Sequence, residues 1–128
     1  MTSPIGGYTE TLLDHFENPR NVGALDHPDA TGFAGNAACG DELVLTMRIE
    51  DGVIREARFQ ASGCTASIAS SSMATVMLTG LTLAQAGALN NRDVAGKLGG
   101  LPETKLHCSV LAEEAVRSAL DDFKARQS

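Results

Sequence analysis

ELVLTMRIEDGVIREARFQA, residues 42–61, decides the fold. Leu43, Leu45, Met47 and Ile49 recur at every second position, with Thr46, Arg48 and Glu50 between them. Successive side chains of a strand point to opposite faces, so residues 42–50 read as a strand with one buried face. Asp51-Gly52 marks a turn, and residues 53–61 read as a second strand running back beside the first. A two-residue loop would pair Ile49 with Ile54 but set Met47 against Glu56 and Leu45 against Arg58. A three-residue loop with Gly52 left-handed pairs Ile49 with Val53, Leu45 with Ala57 and Leu43 with Phe59. That register keeps the apolar residues together and is the expected one.

Helices surround this hairpin. Tyr8, Leu12 and Phe16 share one face of a short helix over residues 8–17, which Asn18-Pro19 ends. Residues 20–38 are irregular, with a short strand expected near residues 31–34. Beyond Gly63-Cys64 a helix is expected over residues 67–79, with Ala69, Met73, Val76 and Met77 as its apolar stripe and Gly80 at its end. Residues 82–98 suggest one or two shorter helices capped by Thr82 and Asn91, broken by Gly99-Gly100. In the last helix Ser109 is the expected cap, and Glu113 and Glu114 suit its positive first turn. Ala112, Val116, Ala119, Leu120 and Phe123 form its core stripe. The outline is a single α+β domain over residues 1–128: a small antiparallel sheet of about three strands, helices on one side, and a long C-terminal helix.

Composition narrows the function. The hydrophobic fraction is 43%, with four Phe, one Tyr and no Trp, so the core must be aliphatic and alanine-rich. Net charge is -6 with no dense Lys/Arg block, which argues against nucleic acid as a partner. The apolar runs are far shorter than the roughly 20 residues of a membrane helix, and the start lacks a secretory pattern. A cytoplasmic protein is expected. Its three cysteines would leave one over in a closed disulfide framework. In a reducing compartment they stay free and lean towards metal or catalysis.

Each cysteine keeps suggestive company. Cys39 precedes the first hairpin strand and Cys64 follows the second, so antiparallel pairing can make them neighbours. Cys64 and Cys108 both stand at expected helix starts, where exposed N–H groups and the macrodipole favour a thiolate. Asp41 and His107 lie within two residues of a cysteine. Cys39, Asp41, Cys64, His107 and Cys108 thus offer three sulfurs, a nitrogen and a carboxylate to one soft metal centre. The close Cys pairs of structural zinc sites and the four thiolates of ferredoxins are both absent. A carboxylate or imidazole holds a cluster iron less firmly than a fourth thiolate, which suits a centre meant to be surrendered. His15 reads as helix surface, and Lys105 as an accessory cation near the site. A Cys/His hydrolase built on Cys108 is disfavoured, because adjacent residues at a helix start rarely face each other.

The strings Asp14-His15-Phe16-Glu17-Asn18-Pro19-Arg20-Asn21-Val22-Gly23, Ala38-Cys39-Gly40-Asp41, Gly63-Cys64, Ile68-Ala69-Ser70-Ser71-Ser72 and Lys105-Leu106-His107-Cys108-Ser109 carry a resemblance. In order and spacing the chain resembles the IscU/NifU-type iron–sulfur cluster assembly scaffolds, from Tyr8 to Lys124. The resemblance implies an α+β scaffold, not an enzyme, that builds a labile [2Fe–2S] cluster with sulfur from a pyridoxal-phosphate cysteine desulfurase. An iron and electron donor and acceptor apoproteins are the other implied partners. Cys39, Cys64 and Cys108 are implied as cluster ligands, with Asp41 or His107 completing the site. Cys108 is implied as the first persulfide acceptor and Asp41 as the source of lability. Zinc fits the same residues, and a zinc-dependent persulfide sulfurtransferase is the rival reading. Residues 101–105 read Leu-Pro-Glu-Thr-Lys where the bacterial branch has Leu-Pro-Pro-Val-Lys, the contact for its dedicated chaperone, so no chaperone contact is carried over. The chain is expected to be the scaffold module alone. The SufU branch, with an insertion before the third cysteine and no histidine, fits less well.

Overall fold

A computed structural model describes residues 8–36 and 40–127. The order of elements is α1 (Glu10–Glu17), β1 (Ala30–Asn36), β2 (Asp41–Glu50), β3 (Val53–Ser62), α2 (Thr65–Leu78), α3 (Leu83–Ala88), α4 (Asn91–Lys97), a 3-10 turn (Glu103–Lys105) and α5 (Leu106–Gln127). The three strands form one antiparallel sheet in the order β1-β2-β3. Helix α5 packs on β1 and β2, α2 packs on β3, and α1 packs on α2. No helix among the described residues is long and apolar enough to cross a membrane.

Leu43, Leu45, Met47 and Ile49 face the core as their period requires. The hairpin register differs from the expected one. Asp51 and Gly52 both take positive φ (52° and 73°), making a two-residue turn that pairs Glu50 with Val53 and Ile49 with Ile54. The register then shifts, so that Arg48 meets Glu56, Leu45 meets Phe59 and Leu43 meets Ala61. Arg55 is the extra residue of a bulge. Buried Ile54 and Ala57 lie three positions apart and would face opposite ways in a regular strand, so the bulge brings both into the core. On the opposite face Thr46 is also buried, its hydroxyl accepting from the Leu25 N–H.

The edge of β1 is closed by α5. The Thr31 N–H donates to Asp122 Oδ2 (2.8 Å) and the Phe33 N–H to Ser118 Oγ (3.0 Å). Between them Gly32 lies so close to α5 that a Cβ would run into the Ala115 carbonyl and the Ala119 amide. Phe59 is the aromatic residue in the buried cluster, which otherwise consists of aliphatic side chains and many alanines.

Helix α2 begins at Thr65, two residues before the expected start, and is buried almost all round. Ser67, Ser70, Ser71 and Ser72 face the interior while Val76, assigned to the apolar stripe, is 44% exposed. Thr82 caps α3 as expected, but α4 is capped by Asn90 rather than Asn91. Helix α5 starts at Leu106, so Ser109 is not its cap. The Ser109 hydroxyl is buried inside the first turn and donates to the Leu106 carbonyl. Glu113 instead accepts from the Asn91 N–H, tying α4 to α5.

His15 corrects another expectation. It is buried, with Nδ1 2.8 Å from Ser72 Oγ, and that oxygen also accepts from the Arg20 N–H. That oxygen and the imidazole share one hydrogen bond whose donor is set by the ring tautomer. Burial, reinforced by the Arg20 charge and partly opposed by Asp14, lowers the His15 pKa below its ordinary 6.5. The unfolded chain then binds the proton more readily than the folded one. The stability from neutral His15 is complete above pH 6.5 and declines as pH falls below it towards the folded pKa. The thermal midpoint of His15→Gln should accordingly fall less between pH 7 and pH 5 than that of the parent. Parallel pH profiles would contradict this.

Candidate metal centre

The pairing of Glu42 with Ser62 brings the start of β2 beside the end of β3. There the chain turns through Gly63 into α2, with Cys64 in the N-cap position. Asp41, 1% exposed, reaches across this junction. Its Oδ1 accepts from the Cys64 N–H (3.3 Å) and its Oδ2 from the Ser67 hydroxyl (2.6 Å). Gly63 has φ 146°, and a Cβ there would collide with the Asp41 carboxylate. A carboxylate on the positive end of α2 is favourable, so Asp41 does the capping that the Cys64 side chain does not.

The 3-10 turn delivers the first turn of α5 to the same place. Cys108 Sγ lies 3.4 Å from Cys64 Sγ, 3.9 Å from Asp41 Oδ2 and 3.6 Å from His107 Nε2. One ligand atom each of Asp41, His107 and Cys108 lies within 4.8 Å of the others. Bonds of about 2.0–2.3 Å to a tetrahedral ion set its ligand atoms roughly 3.3–3.8 Å apart. The three spacings measured from Cys108 are near those values, while Cys64 stands outside the group whose ligand atoms all lie within 4.8 Å of one another. Two sulfurs, an imidazole and a carboxylate suit a borderline or soft ion such as zinc or iron.

The two thiols differ. Burial opposes the Cys64 thiolate, but the Ser67 backbone N–H and hydroxyl and the Cys108 thiol outweigh it and lower the pKa. The Cys108 thiol is pushed up to about 12, by burial first and then by Cys64 and Asp41, despite help from Ser67. The expectation that both helix starts favour a thiolate therefore holds for Cys64 alone. His107 does face Cys108, contrary to expectation, but so weak an acid is a poor hydrolytic nucleophile. A divalent ion would displace both protons, since cysteines bind it as thiolates.

Asp41, His107 and Cys108 are thus brought together, and Cys64 joins them at 3.4 Å from Cys108. Cys39 lies outside the described residues. Lys105 ends the 3-10 turn, half-buried, two positions before His107.

The profile of the NifU-like N terminal domain matches residues 7–128. The chain belongs to this family. A relative from Haemophilus influenzae, named iron-sulfur cluster assembly scaffold protein IscU, is 47% identical over 124 residues, which are 94% of this chain and 98% of that protein. Another from Drosophila melanogaster, named iron-sulfur cluster assembly enzyme IscU, is 47% identical over 128 residues, covering 97% and 82% of the two chains. Among solved structures, the NifU-like N-terminal protein of Brucella abortus superposes with a TM-score of 0.74 at 19% identity, over 92% of this chain and 94% of that one. At that identity the likeness shows the NifU-like fold, an α+β arrangement of a three-stranded sheet and a long last helix.

Sequence reading missed the carboxylate's surroundings. Ser67 was one of several helix serines, and Gly63 only the residue before a cysteine. Their signal was positional: Ser67 is the third residue of a helix that opens directly after Cys64, where a side chain points back to the helix start.

Proposed function

We propose that this chain is a scaffold on which an iron–sulfur cluster is assembled and from which it is handed on, as the names of its relatives suggest. The observation that carries this is the 3.4 Å approach of Cys64 and Cys108 beside Asp41 and His107. Cys64 and Cys108 hold the cargo, with Cys39 as third thiolate and Asp41 or His107 completing the shell. Cys108 receives sulfane sulfur as a persulfide from a cysteine desulfurase. Each sulfane sulfur takes one electron from the ferrous iron it joins and one from a donor, so two irons, two sulfurs and two donor electrons give a [2Fe–2S] cluster with both irons ferric, and Cys108 is left as the thiolate. The chain turns over no substrate of its own. It supplies ligands and geometry, and the oxygen or nitrogen ligand lets an acceptor protein's thiolate displace it. Zinc fits the same residues and would hold the site until iron arrives. Lys105 serves as an accessory cation, and we place the chain in the cytoplasm.

The test is anaerobic incubation with ferrous iron, cysteine, a reductant and a pyridoxal-phosphate cysteine desulfurase. The expected result is a visible-absorbing species with iron and acid-labile sulfide in equal amounts, transferable to an apo-ferredoxin. Bound zinc that persists while sulfur turns over, with no iron uptake, would instead establish a zinc-dependent sulfurtransferase.

A further inference from the structure

The Asp41 carboxylate is held at both oxygens, and only one hold belongs to the helix. The Cys64 N–H on Oδ1 is a backbone cap of α2. The Ser67 hydroxyl on Oδ2 satisfies no backbone group, so it adds nothing to capping. It is nonetheless the shorter bond, at 2.6 Å, and both partners are 1% exposed. Oδ2 is also the oxygen 3.9 Å from Cys108 Sγ, while Ser67 Oγ stands 3.7 Å from Cys64 Sγ. One hydroxyl therefore touches two of the four groups of the metal centre. Gly63 removes the Cβ that would push the carboxylate out of this position.

We propose that Ser67 is a positioning residue of the metal site: its hydroxyl locks the rotation of the Asp41 carboxylate and aims Oδ2 at the space between the thiols. A carboxylate oxygen has lone pairs enough to accept from Ser67 and bind an ion together. Without the hydroxyl, Asp41 keeps only the longer 3.3 Å bond from the Cys64 N–H, so its last torsion is held less tightly. Part of its ordering is then left to the arrival of the ion. Groups beyond the ligands that orient them are typically worth ten- to a hundredfold in metal affinity.

This rests on Asp41 being a ligand, as read above. The test is Co²⁺ binding, followed by its visible ligand-field bands and by chelator competition, on parent, Ser67→Ala, Ser67→Thr, Asp41→Ala and the double variant Ser67→Ala/Asp41→Ala. The expected result is about tenfold weaker binding in Ser67→Ala. Ser67→Thr should recover it, since the hydroxyl remains on Cβ. The Ser67 substitution should have no further effect once Asp41 is gone. A merely structural serine would weaken binding equally in both backgrounds, and that outcome overturns the proposal. So does a Ser67→Ala protein that binds as the parent does while Asp41→Ala is weakened, with the ligand reading left standing. Parent-like binding by Asp41→Ala, or a parent that takes up no cobalt, overturns the ligand reading and this inference together.

Discussion

Cys64→Ala and Cys108→Ala, each alone, are expected to lower the affinity of the chain for zinc or ferrous iron by about two orders of magnitude and to abolish stable cluster loading. The magnitude follows from the ligand count. Structural zinc sites are worth about 10–16 kcal/mol over four ligands, so each carries roughly 3 kcal/mol, or more than a hundredfold. Alanine is the informative replacement for Cys108, because serine would place a hydroxyl in a site that is 1% exposed. Neither change should unfold the chain, since neither cysteine belongs to the buried apolar cluster. Isothermal titration with zinc, alongside circular dichroism of the metal-free proteins, makes the measurement. A folded Cys108→Ala protein that binds zinc as the parent does would remove Cys108 from the site.

The second large effect lies far from the thiols. Gly32→Val should destabilise the fold by about 3 kcal/mol or more, beyond the usual 1–3 kcal/mol of an overpacked core. The new side chain would meet the α5 backbone at Ala115 and Ala119 rather than flexible side chains that could move aside. Helix α5 must lift off β1, and the bonds from Thr31 to Asp122 and from Phe33 to Ser118 are lost with it. The exposed strand edge then invites association with other chains. Gly96→Ala is the control, because nothing lies within 4 Å of a Cβ there and the site is helical. It should stabilise by about 0.5 kcal/mol. Urea unfolding of both variants decides: equal midpoints for parent and Gly32→Val would mean that α5 does not rest on this glycine.

These two sites differ in how far they can be read from residues alone. The alternation of Leu43 to Ile49 survives folding unchanged, because a half-buried strand leaves no other placement for four apolar side chains. The bulge at Arg55 was invisible, since counting from the turn assumes one partner per residue. Helix α2 was misjudged for a different reason. Alanine and serine are small enough to be buried on every side, so no polar face exists to define a stripe. Ser109 looked like a cap because serine favours that position, but α5 follows directly on the 3-10 turn after Pro102 and starts four residues earlier. That shift carries Cys108 from the helix edge into the interior, where burial pushes its thiol up. His15 shows the same blindness: its partner Ser72 lies on α2, and no local pattern announces a contact between two helices so far apart in the chain.

Cys64 and Cys108, with Asp41 or His107, are expected to enclose one ion. X-ray absorption at the zinc edge of the zinc-loaded chain tests it most directly. The expected result is sulfur at about 2.3 Å mixed with nitrogen or oxygen at about 2.0–2.2 Å, four ligands in all, and the loss of one sulfur in Cys64→Ala and likewise in Cys108→Ala. A shell of nitrogen and oxygen alone, or a sulfur count unchanged by both substitutions, would contradict it.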